Sequence, residues 1–328
     1  MQQWTNRLWL LALAPSTRKA YASGLRVYQQ FLHFKGDRRP LLLCFHETNV
    51  LNFNSYCFRF LNLRAGSIRS YLAAIRYFCL ASHLNDPLRY SNGTPKFSIR
   101  TLLKATEKFQ KRARCSRLPI TNILLIKILT LLDGNHFGVY WDALLRASLC
   151  CAFYGFLRLG EFTSDHFSAY RSLTYSDLTL SVDRAILFLK RSKTDRTNVG
   201  VSIPLYKTGH KLCPVKQLHR YIKLRLKLFY PTHPCQTPLF LMPNGQALNR
   251  REFVKRLRDV LSHMGYEASR FTGHSLRMGA ASTAARAGVP VYLIKILGRW
   301  SSEAYRRYIT VSPSTLSKAF SLMTHTSI

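Results

Sequence analysis

Acidic side chains are scarce. The 328 residues hold 15 Asp and Glu against 49 Lys and Arg, a formal net charge of +34. Small-molecule enzymes rarely carry such an excess. A polyanionic partner favours one, because each neutralised phosphate releases counterions. Cysteine pairs with zinc-ligand spacing are missing too. The eight cysteines (Cys44, Cys57, Cys79, Cys115, Cys150, Cys151, Cys213 and Cys235) include no C-x-x-C, and most lie in apolar stretches as small hydrophobes, which fits a reducing compartment. No acidic pair or histidine cluster offers a two-metal nuclease site, and no glycine-rich phosphate loop points to ATP. No metal, cofactor or small-molecule substrate is therefore expected. No apolar run approaches the ~20 residues of a spanning helix, so no membrane role is expected. The stretch Leu8 to Ala14 (LWLLALA) follows Arg7 and mimics a short secretory signal, but Pro15 comes directly after it. A buried helix or lead-in segment is the better reading. Internal repeats and low-complexity tracts are absent.

Hydrophobic residues make up 47% of the chain, enough for sizeable cores and too many for a disordered basic tail of ribosomal type. The length suggests two domains. Residues 1–110 read as a small helical bundle. Ser16 is a candidate N-cap, with Tyr21, Leu25, Tyr28 and Leu32 on one face and Arg18, Lys19 and Arg26 away from it. A second helix is expected from Thr48 to Leu61. A third is expected after Ser67, with Ile68, Tyr71, Leu72, Ile75, Phe78 and Cys79 inward and Arg69 and Arg76 flanking the stripe. A fourth runs from Ser98 to Phe109. Surface Lys and Arg occur on any bundle. Here they stand almost unopposed, since only Asp37, Glu47, Asp86 and Glu107 are acidic up to that point.

Residues 111–119 read as a linker, basic and ending in proline (KRARCSRLP), with Lys111, Arg112 and Arg114 placed either along a phosphate backbone or in a solvated hinge. Residues 120–328 open with helices at Asn122–Leu132 and Tyr140–Phe156. The period then changes to strands at Ser172–Leu180, Ala185–Lys190 and Val199–Pro204, the last two joined by the turn Ser192 to Asn198 (SKTDRTN). Helices resume at Val215–Phe229, Arg250–Met264, Ser275–Ala287, Val291–Leu297 and Ser302–Ile309. A last apolar stripe runs through Pro313–Met323.

Five distant segments place polar groups in unusual settings. Arg158, in Tyr154-Gly-Phe-Leu-Arg158-Leu-Gly-Glu161, follows a long apolar helix, where an arginine needs an anion or a carboxylate beside it; Glu161 is three residues on. Lys193 sits at the hairpin tip. His274 and Arg277 stand at i, i+3 in HSLR, on one helix face. Arg299 and Trp300 form LGRW, and Tyr305-Arg-Arg-Tyr308 follows. Singly each is ordinary: a lone Arg is usually a surface charge, a lone Tyr usually core. Their order and spacing together are far more specific.

GFLRLGE, SKTD in a hairpin, HSLR, LGRW and a terminal tyrosine resemble the tyrosine recombinase (phage integrase) family, from about Ser16 to Ile309. HSLRMGAA and GRWSSEAYRRY are similar to recombinases of eukaryotic mobile elements, the Crypton and DIRS/Ngaro types. The resemblance implies a mainly α fold with a small antiparallel β-sheet: an N-terminal helical, SAM-like core-binding domain and an α+β catalytic domain. It implies double-stranded DNA as partner, a homo-oligomer (a tetramer on paired sites) and, in a eukaryote, the nucleus. It also implies roles. Arg158 and Arg277 would hold the non-bridging oxygens of the scissile phosphate, and His274 would be a general acid/base and phosphate ligand. Lys193 would protonate the departing 5′ oxygen, and Tyr308 would form a 3′-phosphotyrosyl bond. Glu161 would buttress Arg158. Two departures stand out. The family commonly places His or Trp nine residues before the tyrosine, a position held by Arg299, with Trp300 eight before; either residue is a candidate. Tyr305 lies three residues before Tyr308 on nearly the same face, and reads as core or support if Tyr308 is the nucleophile. A catalytically silent DNA-binding descendant and a type IB topoisomerase-like enzyme are the competing readings.

Overall fold

In the computed structural model the described residues are 4, 12–110, 117–192, 195, 199–229 and 236–307. Lys193, Tyr308, Lys111, Arg112 and Arg114 lie outside them, as do most of the hairpin tip, Pro313–Met323 and Leu8 to Leu11. The chain divides into two compact units, Met1–Arg114 and Cys115–Ile328. The architecture is mainly α with one small antiparallel sheet, as expected.

The first unit is built from α1 (Pro15–Phe34), α2 (Glu47–Arg59), α3 (Ala65–Ala81) and α4 (Phe97–Phe109). Tyr28, Phe31, Val50, Phe53, Ile68, Leu72 and Ile75 form its core. Each such fully buried side chain contributes about 1.5–3 kcal/mol. Helix starts differ from the sequence expectation. Proline at the first turn, not Ser16, opens α1, with Ala14 as N-cap. Helix α3 starts at Ala65, before Ser67, because a distant side chain satisfies its end: Gln110 Oε1 accepts from the Ala65 N–H at 2.8 Å, while Gln110 Nε2 donates to the Leu63 carbonyl at 2.7 Å. All four acids of this unit are ion-paired within it. The pairs are Asp37–Arg39 (2.7 Å), Glu47–Lys96 (3.2 Å), Asp86–Arg76 (2.6 Å) and Glu107–Arg69 (2.7 Å).

The second unit is organised around α6 (Val139–Tyr154), which is buried without interruption from Asp142 to Phe153. A helix apolar on every side belongs at the centre of a domain. Around it lie α5 (Asn122–Asp133), α7 (Leu159–Phe162), α8 (Pro214–Leu228), α9 (Arg250–His263), α10 (Gly273–Arg286) and α11 (Val291–Leu297). Of the two buried charges on α6, Asp142 accepts from the Phe137 N–H at 3.1 Å, and Arg146 is satisfied by Gln217, the Leu129 carbonyl and Asp133. The sheet has the order β1-β2-β3, with β1 (Leu178–Leu180), β2 (Arg184–Leu189) and β3 (Val201–Tyr206) antiparallel throughout. In the register, Leu187 sits opposite Leu178 on one side and Ile203 on the other. Ala185, Leu187 and Leu189 point into the core, the period-2 pattern of a half-covered sheet.

Two expected elements differ. The strand expected from Ser172 covers only Leu178–Leu180. Ahead of it Tyr175–Asp177 forms a 3₁₀ turn, because Asp177 Oδ2 folds back onto the Thr174 N–H at 2.8 Å. The helix expected at Ser302–Ile309 is, in its described part, a 3₁₀ turn over Glu303–Arg307.

Candidate active site

Helix α6 ends in a tight reversal. The Gly155 N–H bonds the Cys151 carbonyl, and Phe156 adopts φ 47°, a left-handed conformation unusual for a bulky residue. Arg158 follows as the N-cap of α7. Glu161 stands at the third helical position and accepts from the Arg158 backbone N–H through Oε2 at 2.8 Å. Its Oε1 accepts from Arg158 Nη1 at 2.9 Å. The arginine and glutamate side chains are 23% and 5% exposed, so the carboxylate is interior and the guanidinium reaches the surface.

Helix α10 carries His274 and Arg277. It starts earlier than the sequence suggested, at Gly273, because Thr272 caps it: the Thr272 hydroxyl accepts from the His274 N–H at 3.3 Å, and Ser275 Oγ accepts from the Thr272 N–H at 3.0 Å. Its glycines let it approach closely. A Cβ on Gly273 would press into the Leu159 side chain, next to Arg158, and one on Gly279 would overlap the Ile120 carbonyl. His274 is half-buried, and its pKa lies below the ordinary value. Burial is the main cause, and the positive charges of Arg277, Arg117 and Arg158 add to it.

Arg277 is 1% exposed. Its Nη1 donates to the Phe156 carbonyl and its Nη2 to the Gly298 carbonyl, and its guanidinium lies 4.4 Å from the centre of the Trp300 ring. Arg299, at φ 51°, turns inward. Nη1 donates to the Gly155 carbonyl at 3.0 Å, and Nη2 donates to the Phe156 carbonyl at 3.3 Å and to Glu161 Oε2 at 2.8 Å. Burial lowers its pKa, against the opposing pull of Glu161. Trp300 packs edge-on against Phe156 and tilted against Tyr305.

The structure thus brings together Arg158, Glu161, His274, Arg277, Arg299 and Trp300, from three stretches of chain. Tyr305 is 4% exposed and donates its hydroxyl to Glu303 Oε2 at 2.6 Å, the setting of a packed side chain. Two further residues join the cluster without having been singled out in the sequence. Ser192 bonds both Arg158 and Glu161, at 3.1 and 3.2 Å. Its one signal was a hydroxyl directly before Lys193. Arg117 lies near enough to His274 to act on its charge; it was submerged in the basic run KRARCSRLP. Among the described residues no group of three His, Cys, Asp or Glu side chains stands close enough to hold a metal ion, and no helix is long and apolar enough to cross a membrane.

In the first unit, Lys19 and Arg26 are exposed and Arg18 is half-buried. Arg26 lines a cavity of about 470 Å³ with Arg38 and Arg39. Arg69 and Arg76, singled out as basic groups flanking the helix stripe, are the partners of Glu107 and Asp86, and Arg69 keeps 57% of its side chain exposed.

Residues 142–314, just over half of the chain, match the profile of the phage integrase family. The chain belongs to that family. No curated protein sequence matches this integrase-family chain. Its fold is similar to that of the XerH site-specific recombinase bound to a palindromic difH substrate in a post-cleavage complex. That match has TM-score 0.64 and 17% identity, and covers 94% of this chain and 80% of the other. The Tn1549 transposon integrase in complex with a circular intermediate DNA gives TM-score 0.64 at 14% identity, over 94% of both chains. A lambda integrase dimer bound to a COC′ core site gives TM-score 0.55 at 17% identity, over 94% of this chain and 77% of the other. At these identities the likeness is one of fold.

Proposed function

We propose that this integrase-family chain is a site-specific DNA recombinase, serving a mobile element, that cuts and rejoins strands through a 3′-phosphotyrosyl intermediate. The observation that carries the reading is the convergence of Arg158, His274 and Arg277 around one carboxylate-braced turn, with a net charge of +34 behind it. The similar folds of recombinases solved with DNA support it.

In this reading Tyr308 Oη attacks the scissile phosphorus and forms the tyrosyl–phosphate bond as the bond to the 5′ oxygen breaks. Lys193 gives that oxygen its proton. The guanidinium of Arg158 neutralises the charge gathering on the non-bridging oxygens, an electrostatic effect that counts most in a partly dry site. His274, kept toward its neutral form by burial and then by its cationic neighbours, takes the proton that the Tyr308 hydroxyl loses as it attacks, and returns it on religation. The bond to tyrosine conserves the phosphodiester energy for religation by another strand's 5′ hydroxyl. The N-terminal unit binds the core of the DNA site through Arg18, Lys19 and Arg26, and paired sites are held by a tetramer.

One observation favours the silent DNA-binding alternative. Arg277, the second phosphate ligand in this reading, is wholly buried with donors committed to two backbone carbonyls. Covalent trapping separates the readings. Nicked suicide DNA carrying candidate element ends should give a denaturation-resistant adduct with the intact chain and with Tyr305→Phe, and none with Tyr308→Phe. An adduct lost only with Tyr305→Phe would move the nucleophile. No adduct on DNA bound specifically would establish the silent reading.

A further inference from the structure

The Glu161 carboxylate accepts four hydrogen bonds, two on each oxygen. Oε1 takes Arg158 Nη1 at 2.9 Å and Ser192 Oγ at 3.2 Å; Oε2 takes the Arg158 N–H at 2.8 Å and Arg299 Nη2 at 2.8 Å. These fill the acceptor capacity of an ionised carboxylate. Two of the donors come from Glu161's own turn. The other two come from the foot of the β2–β3 hairpin and from the segment after α11, 31 and 138 residues away in sequence.

A surface-reaching arginine with one local carboxylate is poorly fixed, because both side chains retain rotamers. The two distant donors remove that freedom. Ser192 does so from both sides, since its hydroxyl donates to Glu161 and accepts from Arg158 Nη1 at 3.1 Å. Arg299 spans a carbonyl of the α6 turn and the carboxylate with one planar fork. A lysine at that position has no second arm to reproduce this. Arg299 meanwhile is turned to the interior, with its side chain 11% exposed.

We infer that Ser192 and Arg299 are positioning residues for Arg158, Arg299 acting through the Glu161 carboxylate and Ser192 both through it and by its own bond to the arginine. Arg299, at the position where the family commonly places His or Trp, holds the arginine that in the proposed function faces the phosphate. The consequence for strand cleavage rests on the function proposed above; the positioning does not.

The test therefore has two arms on the full-length chain. In the first, modification of Arg158 by phenylglyoxal is followed by peptide mass spectrometry without DNA. Ser192→Ala, Arg299→Lys and Glu161→Gln should each speed labelling of Arg158 several-fold. Ser192→Thr, which keeps the hydroxyl, should match the parent; in a Glu161→Gln background Arg299→Lys should add nothing, and Ser192→Ala should add less than it does alone, since only its direct bond to Arg158 is then left to lose. In the second arm, single-turnover cleavage of suicide DNA should fall about tenfold in Ser192→Ala at unchanged DNA affinity and recover in Ser192→Thr. Unchanged Arg158 labelling in Ser192→Ala, or effects that simply add to those of Glu161→Gln, would overturn the inference. If Arg299→Lys fails to fold by thermal melting, Ser192→Ala decides alone. A parent chain that cleaves nothing yet shows the coupled labelling would sink the proposed function and leave the positioning intact.

Discussion

His274 is half-buried and has three guanidinium groups for neighbours, so its imidazole stays neutral where a free histidine would begin to charge. Its folded pKa lies below the ordinary 6.5. Between the two values the unfolded chain binds the extra proton, so stability rises with pH across that interval. The contribution is complete above about pH 6.5 and is lost as pH falls through the folded value. Thermal melts between about pH 5 and pH 8 should show this acid sensitivity, and His274→Gln should reduce it. An identical pH profile in both chains would mean that the imidazole is solvated. Tyr305 makes a second case. Its hydroxyl bonds Glu303, so Tyr305→Phe should cost about 1 kcal/mol of stability, and calorimetry would measure it. The residue types at this site were legible in the sequence because their order is specific. What Arg299 touches was not, because a left-handed backbone turn reverses the direction that register alone suggests.

Among the elements, α10 shows how far local signals reach. Its small residues read as a helix built for close packing, and Gly279 meets the Ile120 backbone. Gly279→Ala should destabilise the second unit by more than about 2 kcal/mol, seen as a lower denaturant midpoint. A neutral result would mean that the segment at Ile120 yields freely. In α2, Asn54 is 1% exposed with neither amide atom hydrogen-bonded. Asn54→Leu should therefore raise stability by about 1 kcal/mol, since it removes an unmet polar group; no gain would place an unseen partner there. Helix interiors such as Ile68 to Cys79 were readable from periodicity. Helix ends were not where the cap came from afar, as Gln110 does for α3, because a window of neighbouring residues contains no trace of it.

For the whole molecule the ledger of charge matters most. The four acids of the first unit are each tied to a cation, so none of them stands ready to repel an approaching phosphate. DNA affinity should fall linearly with salt on a log–log plot, and Lys19→Ala should reduce the slope by about one if that exposed lysine meets a phosphate. A flat salt response would assign the +34 charge to some other purpose. Composition gives the total charge; it could not disclose which cations are already engaged, since that depends on pairs such as Arg69 with Glu107 that meet only in the folded chain.

The braced carboxylate has a further consequence, for a chain still being made. Glu161 is synthesised well before Arg299, and its last bond waits for that residue to leave the ribosome. The first unit, with its own core, can fold by then, as N-terminal domains do during translation. A nascent chain therefore already carries a strongly basic folded module, beside abundant ribosomal RNA, while the arginine that would meet a scissile phosphate is still unanchored. In the proposed function, reactivity would arrive late in synthesis, after affinity.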